Sequence, residues 1–138
     1  MSAVKEKPYR PSTKEPFMNE RQREYFRAKL LAWKEVIIRD TRDSLQRLQA
    51  ENQNHADVAD RASSETDRAI ELRDRDRQRK LIAKIDAALA RIDDGTYGYC
   101  EETGEPISLQ RLEARPIATL SVDAQERHER RERVHWDE

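Results

Sequence analysis

The chain has 138 residues, 36% hydrophobic and 40% charged, and its 27 lysines and arginines nearly balance 28 aspartates and glutamates, for a net charge of -1. So much charge beside so little apolar mass excludes a large globular core, and the balance of sign argues against both a general nucleic-acid binder and a self-repelling disordered chain. One cysteine rules out an internal disulfide. With no apolar run of about 18 residues and no signal-peptide core after Met1, a cytoplasmic protein with no membrane contact is expected.

Residues 1–16 carry Pro8, Pro11 and Pro16 and a charged run from Lys5 to Lys7, a composition that predicts a flexible, extended tail. A helix start follows at 17–19. Asn19 suits the N-cap, Gln22 the N3 position and Met18 the apolar residue before the cap. From 17 to 93 the dominant signal is helical periodicity. Phe26, Leu30, Trp33 and Ile37 step by four, three and four, and Ile82, Ile85, Leu89 and Ile92 step by three, four and three. Each stripe is too narrow to form a core alone. The connection between them is too short for anything except an antiparallel return, so the two stripes bury each other in a helical hairpin. At ~1.5 Å per residue an arm of about 36 residues reaches ~54 Å, more than a compact domain of this size requires.

Apolar density falls after Ile38, leaving Leu45 and Leu48, and in the returning arm Arg73 to Lys80 is almost wholly charged. Alternating signs there favour a solvated surface with pairing three and four residues apart. The turn, near 55–62, is acidic. Asp57 and Asp60 sit where a helix begins, and capping of orphan amides is their ordinary role. Their place at the far end of a long arm, where they stabilise little else, points to delivery of charge into a narrow space.

Residues 94–120 read as a small globular module. Gly95, Gly98 and Gly104 alternate with Thr96, Tyr97 and Tyr99, which predicts tight turns and short strands. Ser108 to Arg115 forms a short helix stopped before Pro116, and Ser121 or Asp123 caps a final helix over 121–138 that ends near Trp136. The expected core of the module is Tyr97, Tyr99, Ile107, Leu112, Ile117 and Leu120. The fold class is therefore mainly α: a long antiparallel coiled-coil hairpin, a small ββα-like globular module and a C-terminal helix.

The run Tyr99-Cys100-Glu101-Glu102-Thr103-Gly104, followed by Arg111 to Pro116 and by Leu120 to Ala124, resembles the C-terminal domain of the DksA/TraR family. The stretch Glu71 to Arg77, the Asp57-x-x-Asp60-x-Ala62 tip and Phe17-Met18-Asn19-Glu20 resemble its DksA branch. Order and spacing match over nearly the whole chain beyond the tail. That family commonly holds zinc with two Cys-x-x-Cys pairs, a resemblance that makes the module zinc-finger-like, and the matching positions here are Cys100, Thr103, Ser121 and Ala124. A structural zinc needs about four Cys or His ligands. His55, His128 and His135 fall at unmatched places. The expectation is a zinc-free module in which a Thr103 to Ser121 hydroxyl bond helps to replace the metal and Cys100 is a buried remnant.

The resemblance implies a regulator, not an enzyme, that binds bacterial RNA polymerase and inserts its coiled coil into the secondary channel to alter promoter-complex stability. Asp57, Asp60 and Ala62 would be the tip residues, and Arg77 the contact at the channel rim. It also implies cooperation with guanosine tetraphosphate (ppGpp) in the stringent response, at a site shared with polymerase. Leu81, Lys84 and Arg115 match that site, while Gln125 stands where a further lysine is expected. Specific DNA binding is not implied, and a monomer is expected. Two other readings remain open: a Gre-like transcript-cleavage factor whose tip carboxylates hold a metal, and a coiled-coil oligomerisation protein whose arms pair between chains. An independent enzyme finds no support, because no nucleophile, base and orienting group cluster and no phosphate loop exists.

Overall fold

The computed structural model describes residues 8–54 and 58–137, with side chains outside 51–64 and 135–137. Its helices are α1 (Glu20–Asn54), α2 (Val58–Asp94), α3 (Leu109–Ala114) and α4 (Val122–Asp137). In place of the expected short strands there is an isolated antiparallel bridge between Tyr99 and Pro106. The chain divides into two compact units, Met1–Leu30 with Ala88–Glu138 (unit 1) and Leu31–Ala87 (unit 2).

Unit 2 is a pair of helical segments, and its cross-links run in opposite senses along the two. Lys34 meets Asp86 at 2.7 Å, Thr41 meets Gln78 at 2.6 Å and Ser44 meets Glu71 at 2.9 Å, which fixes an antiparallel pairing. The expected stripe supplies the packing: Ile37 and Ile85 are buried, while Trp33, Leu81 and Ile82 are half-buried. At ~1.5 Å per residue the 35 residues of α1 span about 52 Å. The turn at 55–57 lies outside the described residues.

The described part of unit 1 opens with a packed segment. Residues 1–7 of the tail expected over 1–16 lie outside the described residues; the stretch from Tyr9 to Met18 lies against the start of α1, held by a polar network centred on the fully buried Gln22. The Tyr9 hydroxyl donates to Glu15, and Gln22 Nε2 donates to the Ser12 carbonyl and to Glu15, each at 3.2 Å. Arg21 stacks its guanidinium 4.0 Å from the Tyr9 ring centroid. Asn19 caps α1 as its residue type predicts, accepting from the Gln22 amide at 2.8 Å. Gln22 Oε1 in turn accepts from the Met18 amide at 2.8 Å, one residue earlier than in the usual capping box.

The core of unit 1 gathers Phe26, Leu30, Ala88, Ile92, Tyr97, Ile107 and Leu112, all at most 1% exposed. Phe26 and Tyr97 meet at a tilted angle with centroids 5.6 Å apart, and the buried Tyr97 hydroxyl is satisfied by the Pro116 carbonyl at 2.7 Å. Tyr99, expected in this core, is 38% exposed and meets Phe17 edge-on instead. Gly98 explains why: at φ +89 it turns the chain, and a Cβ there would stand 3.1 Å from Met18 Cγ and Cε. A side chain at this position would require Met18 and Phe17 to give by a few tenths of an ångström.

Candidate functional site

The turn that follows Gly98 brings the four expected ligand positions together. The Cys100 amide donates to the Glu105 carbonyl and the Gly104 amide to the Cys100 carbonyl, both at 2.8 Å, closing a loop in which Gly104 adopts φ +73. Glu101 N donates to Thr119 O at 2.9 Å, which ties this loop to the segment leading into α4. Ser121 caps α4, its hydroxyl accepting from the Ala124 amide at 3.2 Å. Cys100 accepts from the Thr103 hydroxyl and from the backbone amides of Ser121, Thr103 and Glu102. Thr103 and the Ser121 backbone thus meet at the Cys100 sulfur, and Ala124 is joined to them through its bond to Ser121.

Burial pushes the pKa of the Cys100 thiol up, but the bond from Thr103 and the three backbone donors outweigh it and bring the thiol down to about 6. Cys100 is 3% exposed, and burial is the largest single influence on it, but the four donors together outweigh it. The hydroxyl pairing expected between Thr103 and Ser121 is replaced by a different arrangement. Thr103 serves Cys100 and accepts from the Glu105 amide at 3.2 Å, while Ser121 is occupied as a cap. These residues do not fit a tetrahedral zinc ion. They offer one thiol, two committed hydroxyls and the fully buried methyl of Ala124 where four soft or imidazole ligands are needed.

In unit 2, Arg77, Leu81 and Lys84 follow one another on α2 at steps of four and three and so share a stripe. Arg77 and Lys84 are exposed and Leu81 half-buried, with Arg77 3.8 Å from Asp74. At that distance and exposure the pair restrains Arg77 little, leaving its fork available. Arg115 belongs to unit 1, where it is the exposed C-cap of α3. Gln125, also in unit 1, donates from Nε2 to Glu129 at 3.2 Å. Asp57 lies outside the described residues. Asp60 and Ala62 fall in the opening turns of α2, with side chains outside the description.

Sequence spacing did not reveal a second polar cluster in unit 1. Lys29 Nζ donates to the Glu113 carboxylate at 2.6 Å and to its carbonyl at 2.8 Å, pinning α3 to α1. Burial pushes the Glu113 carboxyl up, but bonds from Lys29 and Tyr25 hold it below the ordinary range. The same contact drives the Tyr25 hydroxyl up to about 12.

A pair of antiparallel helical segments and a small module built around a cysteine-centred turn define a helical-hairpin class of protein. Residues 22–92 match the N-terminal domain of DnaK suppressor protein DksA, and residues 95–130 match the prokaryotic dksA/traR C4-type zinc finger. The chain belongs to the DksA family. It is 72% identical over 135 residues to the RNA polymerase-binding transcription factor DksA of Caulobacter vibrioides, covering 98% of this chain and 95% of the relative. It is 41% identical over 126 residues to the protein of that name in Escherichia coli, covering 91% and 83%. Transcription factor DksA2 from Pseudomonas aeruginosa matches its fold with a TM-score of 0.81 at 42% identity, covering 90% of this chain and 94% of that one.

Proposed function

We propose that this chain binds RNA polymerase and regulates transcription without catalysing a reaction of its own. The observation that carries this reading is identity of 72% across 98% of the chain with a relative named for polymerase binding. The helical pair suits such a role, because two helices of 35 and 37 residues carry charged groups far along their length while unit 1 supplies the packed core.

In this reading the hairpin enters the polymerase secondary channel, and Asp57 and Asp60, with the small Ala62 beside them, act near the catalytic centre of the polymerase. Arg77 meets the channel rim. Its exposed guanidinium presents a rigid donor fork suited to a carboxylate partner. ppGpp is held with polymerase by Leu81, Lys84 and Arg115, the two cations supplying donors to phosphate oxygens. Gln125 in place of a lysine removes one charge from that site and weakens the response to the nucleotide. The module works without zinc, the chain acts as a cytoplasmic monomer, and no specific DNA contact is needed.

The test separates docking from action. Asp57→Asn with Asp60→Asn is expected to leave polymerase affinity within about threefold and to abolish inhibition of a ribosomal RNA promoter. Equal loss of both would make the tip an affinity element, and RNA cleavage in backtracked complexes would favour the Gre-like alternative.

A further inference from the structure

We infer that unit 2 contains a polar seam at which its two helices part, so that segments 42–54 and 58–77 open as one body while 31–40 and 79–87 remain paired. On one side of the seam the buried side chains are apolar, Ile37 and the fully buried Ile85. At the seam it becomes a pair of side-chain hydrogen bonds, Thr41 to Gln78 at 2.6 Å and Ser44 to Glu71 at 2.9 Å. Among residues whose side chains are described, Leu48 is the buried large apolar side chain beyond it, while Ile70 and Leu72 turn outward at 50% and 49% exposure.

The hydrogen-bond chemistry makes the seam weak. The Thr41 hydroxyl lies 2.9 Å from the Ile37 carbonyl and 2.6 Å from Gln78 Oε1, two acceptors for one hydrogen. Both are satisfied when the Gln78 amide presents its NH2 to the hydroxyl, which then donates to Ile37. Beside this pair lies an open surface groove of about 650 Å³, lined by Asp40, Asp43, Ser44, Glu71, Asp74 and Arg75 among others. The Arg75 Nε atom is buried there without a hydrogen-bond partner among the described residues. Opening hydrates that donor and exchanges the two cross-helix bonds for bonds to water, whereas parting Ile37 from Ile85 would expose apolar surface. The weakest plane therefore lies at Thr41 and Gln78.

Amide hydrogen exchange on the full chain tests this. Amides of 43–50 and 65–76 are expected to share one opening rate and to be about tenfold or more less protected than those of 34–38 and 81–86, with a step at Thr41 and Gln78. Thr41→Val with Gln78→Leu makes the seam apolar and is expected to raise distal protection about tenfold, and Gln78→Ala is expected to lower it. A smooth gradient of protection towards the turn would mean simple end fraying and would overturn the inference. So would variants that leave distal exchange unchanged.

Discussion

Restoring the missing sulfurs is the sharpest perturbation of the module. In the Thr103→Cys, Ser121→Cys, Ala124→Cys variant, the loss of the Ser121 cap costs about 1 kcal/mol. A sulfur in the fully buried Ala124 site costs about 1–3 kcal/mol through overpacking. Replacing the Thr103 hydroxyl, which serves both Cys100 and the Glu105 amide, costs about 1 kcal/mol more. The metal-free variant is thus weakened by roughly 3–5 kcal/mol, summing these terms. Four thiolates binding zinc return about 10–16 kcal/mol at pH 7, well above that loss. Elemental analysis of protein purified with zinc should find one equivalent in the variant and none in the natural chain. Thermal melting should fall on chelation only in the variant. A folded variant that takes up no zinc would show that the four positions do not converge, and one equivalent in the natural chain would refute the ligand argument.

Gly98→Ala is expected to cost about 2–3 kcal/mol, combining a positive φ with crowding against Met18 and Phe17, read as a lower denaturant midpoint. Gly104→Ala, with open space around its Cβ, should cost only the backbone share, about 1 kcal/mol. The Cys100 thiol, ordinarily at 9.0 and here about 6, should give a thiolate absorbance midpoint near 6. Because the folded value is the lower one, its contribution to stability is fully present above about 9 and fades as pH falls towards 6; Cys100→Ala should flatten that dependence. Glu113 is likewise depressed, so stability it confers is complete above the ordinary carboxylate range and lost as pH falls through its folded value. Glu113→Gln should remove that part of the acid sensitivity, measured as melting temperature against pH.

Helical periodicity was legible because it is local. Phe26, Leu30, Ile37, Ile85 and Ile92 are buried where their spacing places them, and Asn19 and Ser121 cap the helices they precede. Contacts set by turn geometry were not. Tyr99 faces outward because Gly98 aligns the backbone against Met18, and no period in the sequence encodes that. The docking of the N-terminal segment rests on a polar network of Tyr9, Glu15 and Gln22, while a proline-rich composition argues for an extended tail. At the candidate site, family resemblance picks out Cys100, Thr103, Ser121 and Ala124, but the donors that lower the thiol appear only once the loop closes. Lys29 and Glu113, 84 residues apart, carry no sequence signal of their pairing.

Transcription from a ribosomal RNA promoter by purified RNA polymerase, with and without this protein, ppGpp and a zinc chelator, bears most directly on the proposed function. Output should fall when the protein is added, fall further with ppGpp and stay low in the presence of chelator. Output unchanged by the natural chain at saturating concentration would contradict the account.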